Sequence, residues 1–243
     1  MALSDPRQKI SASRLAPAPA PEVLRGKAGV VRWLELISVF GLVPIGLFFV
    51  RSSFARWIVP ALLLAAAVCI LALLRDPRFD RGRLGARPGA LGRELPPILK
   101  TFVPGALLIG ALTALGRPDL LFAFPREQPG WWAVIMIAYP LLSVYPQEIL
   151  FRTFFFHRYG PLLRGEGAVV ASSALVFGLA HLLFANWIAP TLTMIGGYLF
   201  ARTYARSGST AVASLEHALW GDFLFTLGLG WYFWGGSIRA VAG

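Results

Sequence analysis

Glu148, Arg152, His157, His181, Glu216, His217 and Asp222 all stand inside or beside long apolar stretches of this chain. A charged side chain at the centre of a membrane helix costs at least about 2.5 kcal/mol on insertion scales, so such residues face a bundle interior or a wet cavity. Glu148 and Arg152 are four residues apart, which puts them on one helical face within pairing reach. Phe177 and His181 repeat that spacing, as do His217 and Gly221. A carboxylate, a guanidinium and two imidazoles, carried on separate helices, could converge on one site. Glu148, His181 and His217 are also a donor set that zinc accepts. Neither histidine belongs to a His-Glu-x-x-His pattern, which favours a site without metal.

The elements that carry these residues are set by composition. The chain has 243 residues, 56% of them hydrophobic and only 14% charged. A soluble domain of this size needs more charge to cover its surface. Apolar runs occupy Val30 to Val50, Trp57 to Leu74, Ile98 to Gly116, Trp131 to about His157, Ala168 to Phe184, Trp187 to about Tyr204 and Ser209 to about Tyr232. They predict an all-α, polytopic transmembrane bundle of about seven spans. The fourth run would be about 40 Å long as one helix, more than the hydrocarbon needs, and Pro140 and Pro146 are expected to kink or break it. Residues 1–27 are rich in Pro, Ala and Arg without an apolar core, which predicts a disordered cytoplasmic tail before a single transmembrane domain over 28–243. The stretch from Arg75 to Leu95, with six Arg and several Gly and Pro, reads as a loop.

Charge gives the orientation. The net charge of +11 is spread between apolar runs rather than gathered in a patch, which speaks for anionic lipid and against nucleic acid. With a cytoplasmic N-terminus and seven spans, 17 Lys and Arg fall on the cytoplasmic side and 5 on the far side, leaving out Arg152. This bias predicts an N-in arrangement in the inner (plasma) membrane. At a helix rise of about 1.5 Å per residue, Glu148, His217 and His181 lie roughly 15, 12 and 20 Å from their cytoplasmic helix ends. Three residues on three helices thus share one slab near mid-membrane. His157, next to Arg158, belongs instead to the interface. Cys69 is the sole cysteine, so no internal disulfide forms.

Three motifs now stand in order on separate helices: Gln147-Glu148-Ile149-Leu150-Phe151-Arg152, Phe177-Gly178-Leu179-Ala180-His181, and His217-Ala218-Leu219-Trp220-Gly221. Over about residues 130–235 the chain resembles the CPBP (Abi) family, the CAAX-protease and bacteriocin-processing intramembrane endopeptidases. That family carries Glu-Glu-x-x-x-Arg, Phe-x-x-x-His and His-x-x-x-Asn/Asp. Here Gln147 replaces the first Glu, the family's water-activating base, and Gly221 replaces the final Asn or Asp. The resemblance implies cleavage of a peptide bond in a membrane-associated or prenylated substrate. Glu148 would then be the base, oriented by Arg152. His181 would share the water or donate a proton, and His217 and the Gln147 amide would meet the oxyanion. No cofactor is required on this reading, although zinc on Glu148, His181 and His217 is the alternative. Two other functions fit the same residues: an inactive family member that binds peptides or partner proteins, and a small transporter whose mid-membrane ionisable residues line a path.

Overall fold

The computed structural model describes residues 26–233. Among them every regular element is helical. The chain runs through α1 (Lys27–Phe49), α2 (Arg51–Arg75), α3 (Ala90–Gly116), a short α4 (Ala123–Glu127), α5 (Pro129–Leu162), α6 (Glu166–Phe184), α7 (Ile188–Ser207) and α8 (Thr210–Leu227). Five of these, α1, α2, α3, α5 and α6, are long and apolar enough to cross a membrane. Helices α7 and α8 cover the sixth and seventh apolar runs but are not among those five. Arg202 and Arg206 in α7, and Glu216, His217 and Asp222 in α8, dilute their apolarity. The tail expected over 1–27 lies outside the described residues up to position 25, and Lys27 opens α1.

Two boundaries differ from the sequence expectation. The polar stretch is a loop only as far as Gly89, and α3 begins at Ala90. Ala90, Glu94 and Ile98 are buried at helical spacing, and Glu94 pairs with Arg206 of α7 at 2.7 Å. The charges there join two helices, so the segment folds despite Pro96 and Pro97. Helix α5 is also unbroken by its prolines. It continues through two wide π-helical turns, Pro140–Val144 and Ile149–Phe154. A proline lacks the N–H that α-helical bonding needs and crowds the carbonyl of the preceding turn, and a wider turn relieves both. The second wide turn gains a partner from outside: Ser173 Oγ donates to the Phe151 carbonyl at 2.6 Å.

Burial separates scaffold from core. Only 11% of the apolar window of α1, α2 or α3 is buried, against 33% for α5 and 44% for α6. Large side chains such as Leu107 and Leu115 point outward, as lipid-facing residues do. Helices α5 and α6 are the inner elements, flanked by α1, α2, α7 and α8. Phe40, Phe151, Phe155, Tyr159, Phe177 and Phe200 form one aromatic core between α1, α5, α6 and α7. Helices α6 and α7 come close because Gly197 is small: a Cβ there would lie 3.3 Å from Ala174 Cα.

One end of the bundle is closed by polar ties. Arg158 donates to Glu35 at 2.9 and 2.6 Å, and Tyr159 donates to the same carboxylate at 2.8 Å. The 76–89 loop folds across this end, held by Tyr145 donating to the Leu84 carbonyl and Ser209 donating to the Gly85 carbonyl. Asp76 accepts from the Arg78 side chain, the Arg78 backbone N–H and His157 Nε2. Those bonds, the Arg78 side chain first, hold its carboxyl well below the usual carboxylate range. A depressed carboxyl stabilises the fold fully above its unfolded value near 4, and the contribution is lost as pH falls toward the folded value. Asp76→Asn should therefore lower the Tm of the detergent-purified protein by about 2–4 °C at pH 7. The gap to wild type should narrow below about pH 4. A gap unchanged down to pH 2 would contradict this account of the loop.

Candidate active site

Helix α5 brings Glu148 and Arg152 to the centre of the bundle, and both are fully buried. Glu148 Oε2 lies 3.3 Å from Arg152 Nε, so the two are in charge contact. The contact is not a well-formed hydrogen bond, because none of the three guanidinium nitrogens makes one among the described residues. The guanidinium is instead sandwiched against aromatic faces, 4.5 Å from the Phe177 ring centre and 5.8 Å from that of Phe200. Such cation–π contacts are worth about 2 kcal/mol or more when desolvated.

The other carboxylate oxygen belongs to α8. His217 Nδ1 donates to Glu148 Oε1 at 2.8 Å. The imidazole stacks on Phe200, with ring centres 4.5 Å apart and planes 15° from parallel, and meets Phe177 edge-on at 5.5 Å. Its remaining nitrogen, Nε2, is 3.2 Å from the Tyr139 hydroxyl, which returns to α5. His217 is therefore held at both nitrogens by one helix.

His181 stands where α6 gives way to the short 3-10 turn His181–Phe184. Its Nδ1 donates to the Phe177 carbonyl at 2.8 Å, and its ring packs on Phe177 at 4.6 Å. A carbonyl only accepts, so the proton is on Nδ1 and Nε2 presents a lone pair. Gln147 Nε2 donates to Ser143 Oγ at 2.7 Å, while its Oε1 is buried without a protein partner.

Five sequence candidates thus gather on α5, α6 and α8: Glu148 and Arg152 as a pair, His217 on Glu148, His181 across the shared Phe177, and Gln147 beside Glu148 in the chain. His157 is apart from them, bonded to Asp76 at the loop end. Glu216 and Asp222 are on α8 flanking His217, each with one buried carboxylate oxygen lacking a protein partner. Tyr139, Ser143 and Phe200 join the site without any motif that marks them. What comes close to Gly221 is the Tyr139 ring. Among the described residues no three His, Cys, Asp or Glu side chains cluster as a metal set. Glu148 Oε1 and both His217 nitrogens are hydrogen-bonded within the protein, whereas Glu148 Oε2 is not.

Fold and site together define a polytopic membrane protein with a buried acid, guanidinium and imidazole centre. The family model described as Rce1-like, type II CAAX prenyl endopeptidase, matches residues 129–221. This segment carries every residue of the centre, and the model it matches is of the CPBP family of membrane proteases. No curated protein and no solved structure matches the chain.

Removing one partner of a buried ion pair leaves an uncompensated charge and costs about 3–5 kcal/mol. Arg152→Met should accordingly lower the Tm by about 10 °C. Adding Glu148→Gln should recover about half of that loss, because the orphaned charge is gone. Thermal unfolding of the two variants in detergent checks this, and equal Tm values would contradict it.

Proposed function

We propose that the chain is an intramembrane endopeptidase that hydrolyses a peptide bond in a membrane-associated or prenylated substrate. The observation that carries this reading is the convergence of Glu148, Arg152, His181 and His217 on one buried point within a segment of a membrane-protease family. His181 Nε2 has the free lone pair that a general base needs. It takes a proton from water as the water oxygen attacks the carbonyl carbon, and the carbonyl electron pair moves onto oxygen. Collapse of the adduct breaks the C–N bond, and the leaving nitrogen recovers the proton from His181. His217 and the Gln147 amide form the side that faces the carbonyl oxygen. Glu148 Oε1 accepts from His217 and Oε2 faces the Arg152 guanidinium, so Glu148 orients the imidazole and balances the buried cation. No step needs a metal or cofactor. The positive-charge bias supports an N-in placement in the inner (plasma) membrane.

One observation favours a second reading. Gln147 occupies the position where the family carries its base, and an amide takes up no proton at neutral pH. On that reading the chain binds membrane peptides or a partner protein without cleaving them.

A fluorogenic peptide ending in a prenylated Cys-aliphatic-aliphatic-X sequence separates the two readings, with the chain in proteoliposomes, with and without chelator. Cleavage is expected in both arms, and His181→Ala should lower kcat/KM by about 10²–10⁴. A wild-type chain that is silent while Gln147→Glu cleaves would establish the binding reading instead.

A further inference from the structure

The third motif of the family ends in Asn or Asp, and this chain has Gly221 there. The volume beside Gly221 is filled from α5. A Cβ added at position 221 would collide with the Tyr139 side chain, coming within 2.6 Å of Cζ and closer still to Cε1 and the hydroxyl. The Tyr139 ring therefore lies where the first atoms of an Asn or Asp side chain would begin. Its hydroxyl also reaches the same imidazole, 3.2 Å from His217 Nε2. Ring and glycine are complementary: either the aromatic side chain or the motif's amide fits, but not both.

We propose that Tyr139, which fills the space of the missing motif side chain, is a catalytic residue that donates its hydroxyl hydrogen to the substrate's carbonyl oxygen. This deepens the hydrolytic reading above and rests on it. This donation is open in either protonation state of His217. With a neutral ring, Nδ1–H is on Glu148 and the Tyr139 hydroxyl donates to Nε2 at rest, then turns to the carbonyl oxygen as charge develops. A hydrogen bond to a neutral nitrogen is exchanged for one to an anion, which is roughly twice as strong. With a charged ring, Nε2–H donates to the Tyr139 oxygen and the hydroxyl hydrogen is already free. No covalent bond to Tyr139 forms or breaks. Phe225, 5.1 Å from the Tyr139 ring centre, helps fix the ring against α8.

The test uses the full chain in proteoliposomes with the prenylated fluorogenic peptide. Tyr139→Phe keeps the ring and removes one oxygen. It should lower kcat by about 10²–10³, the loss typical of one oxyanion donor, with KM and Tm nearly unchanged. Gly221→Asn alone should be destabilised by the clash, whereas Tyr139→Ala with Gly221→Asn vacates the space and should regain at least about tenfold over Tyr139→Ala. A Tyr139→Phe rate equal to wild type overturns the assignment while leaving the hydrolytic reading intact, as does a loss confined to KM. A wild-type chain that cleaves nothing removes the hydrolytic reading, and this assignment with it.

Discussion

Arg152 is a cation that cannot deprotonate, fully enclosed in a bundle whose outer surface meets hydrocarbon. Its position is tolerable only because everything around it is arranged for it. Glu148, one turn earlier on the same helix, supplies the opposite charge, and the Phe177 and Phe200 faces from α6 and α7 supply their negative quadrupoles. Those two rings in turn clamp His217. Placing the rings requires α6 and α7 in close contact, which the small side chains at Gly197 and Ala174 permit. The buried cation thus fixes the approach of α6 and α7 to α5 and, through Phe200 and Glu148, the attitude of the imidazole on α8. A buried ion pair is weak evidence of stability in itself. Here its value lies in fixing the relative positions of the groups that do chemistry.

The wide turns of α5 are the second constraint. Tyr139 and Glu148 are nine residues apart, which in an uninterrupted α-helix places them on faces about 180° apart. The π-helical turn Pro140–Val144 inserts extra chain between them and rotates one toward the other. Both then reach the same imidazole from opposite sides, Tyr139 at Nε2 and Glu148 at Nδ1. Pro140 thus acts as a register device more than as a breaker. The same helix holds Gln147 and Arg152, so four of the polar groups move as one body.

Much of this was legible in the chain. Each apolar run is a helix, because length and composition leave no other way to satisfy the backbone in lipid. The Glu148–Arg152 pair and the Phe177–His181 contact follow from their spacing of four, which holds locally whatever the tertiary structure. What was not legible depends on register or on partners distant in sequence. Tyr139 looked like one more aromatic in an apolar run, since its face depends on a π-helical turn that sequence spacing does not reveal. The start of α3 was hidden because Glu94 counts as a loop charge until Arg206, 112 positions away, is known to meet it. The bond from His217 to Glu148 could not be read either, because it needs the angle between α5 and α8.

The two departures from the family motif are therefore unequal in physical terms. At Gly221 a side chain is lost on α8, but a hydroxyl arrives from α5 in the same volume and contacts the same ring. What changes is the helix that delivers the polar group to the ring. At Gln147 no neighbouring group repairs the loss, because an amide donates and accepts but does not take a proton. Ser143 holds that amide, and Glu148 is occupied by His217 and Arg152. On the hydrolytic reading proposed above, base duty falls to an imidazole with an unbonded nitrogen. His217 is bonded at both nitrogens, whereas His181 is bonded only at Nδ1. On that reading the base stands on α6, where the Phe177 carbonyl accepts from His181 Nδ1 and fixes the tautomer that leaves Nε2 open.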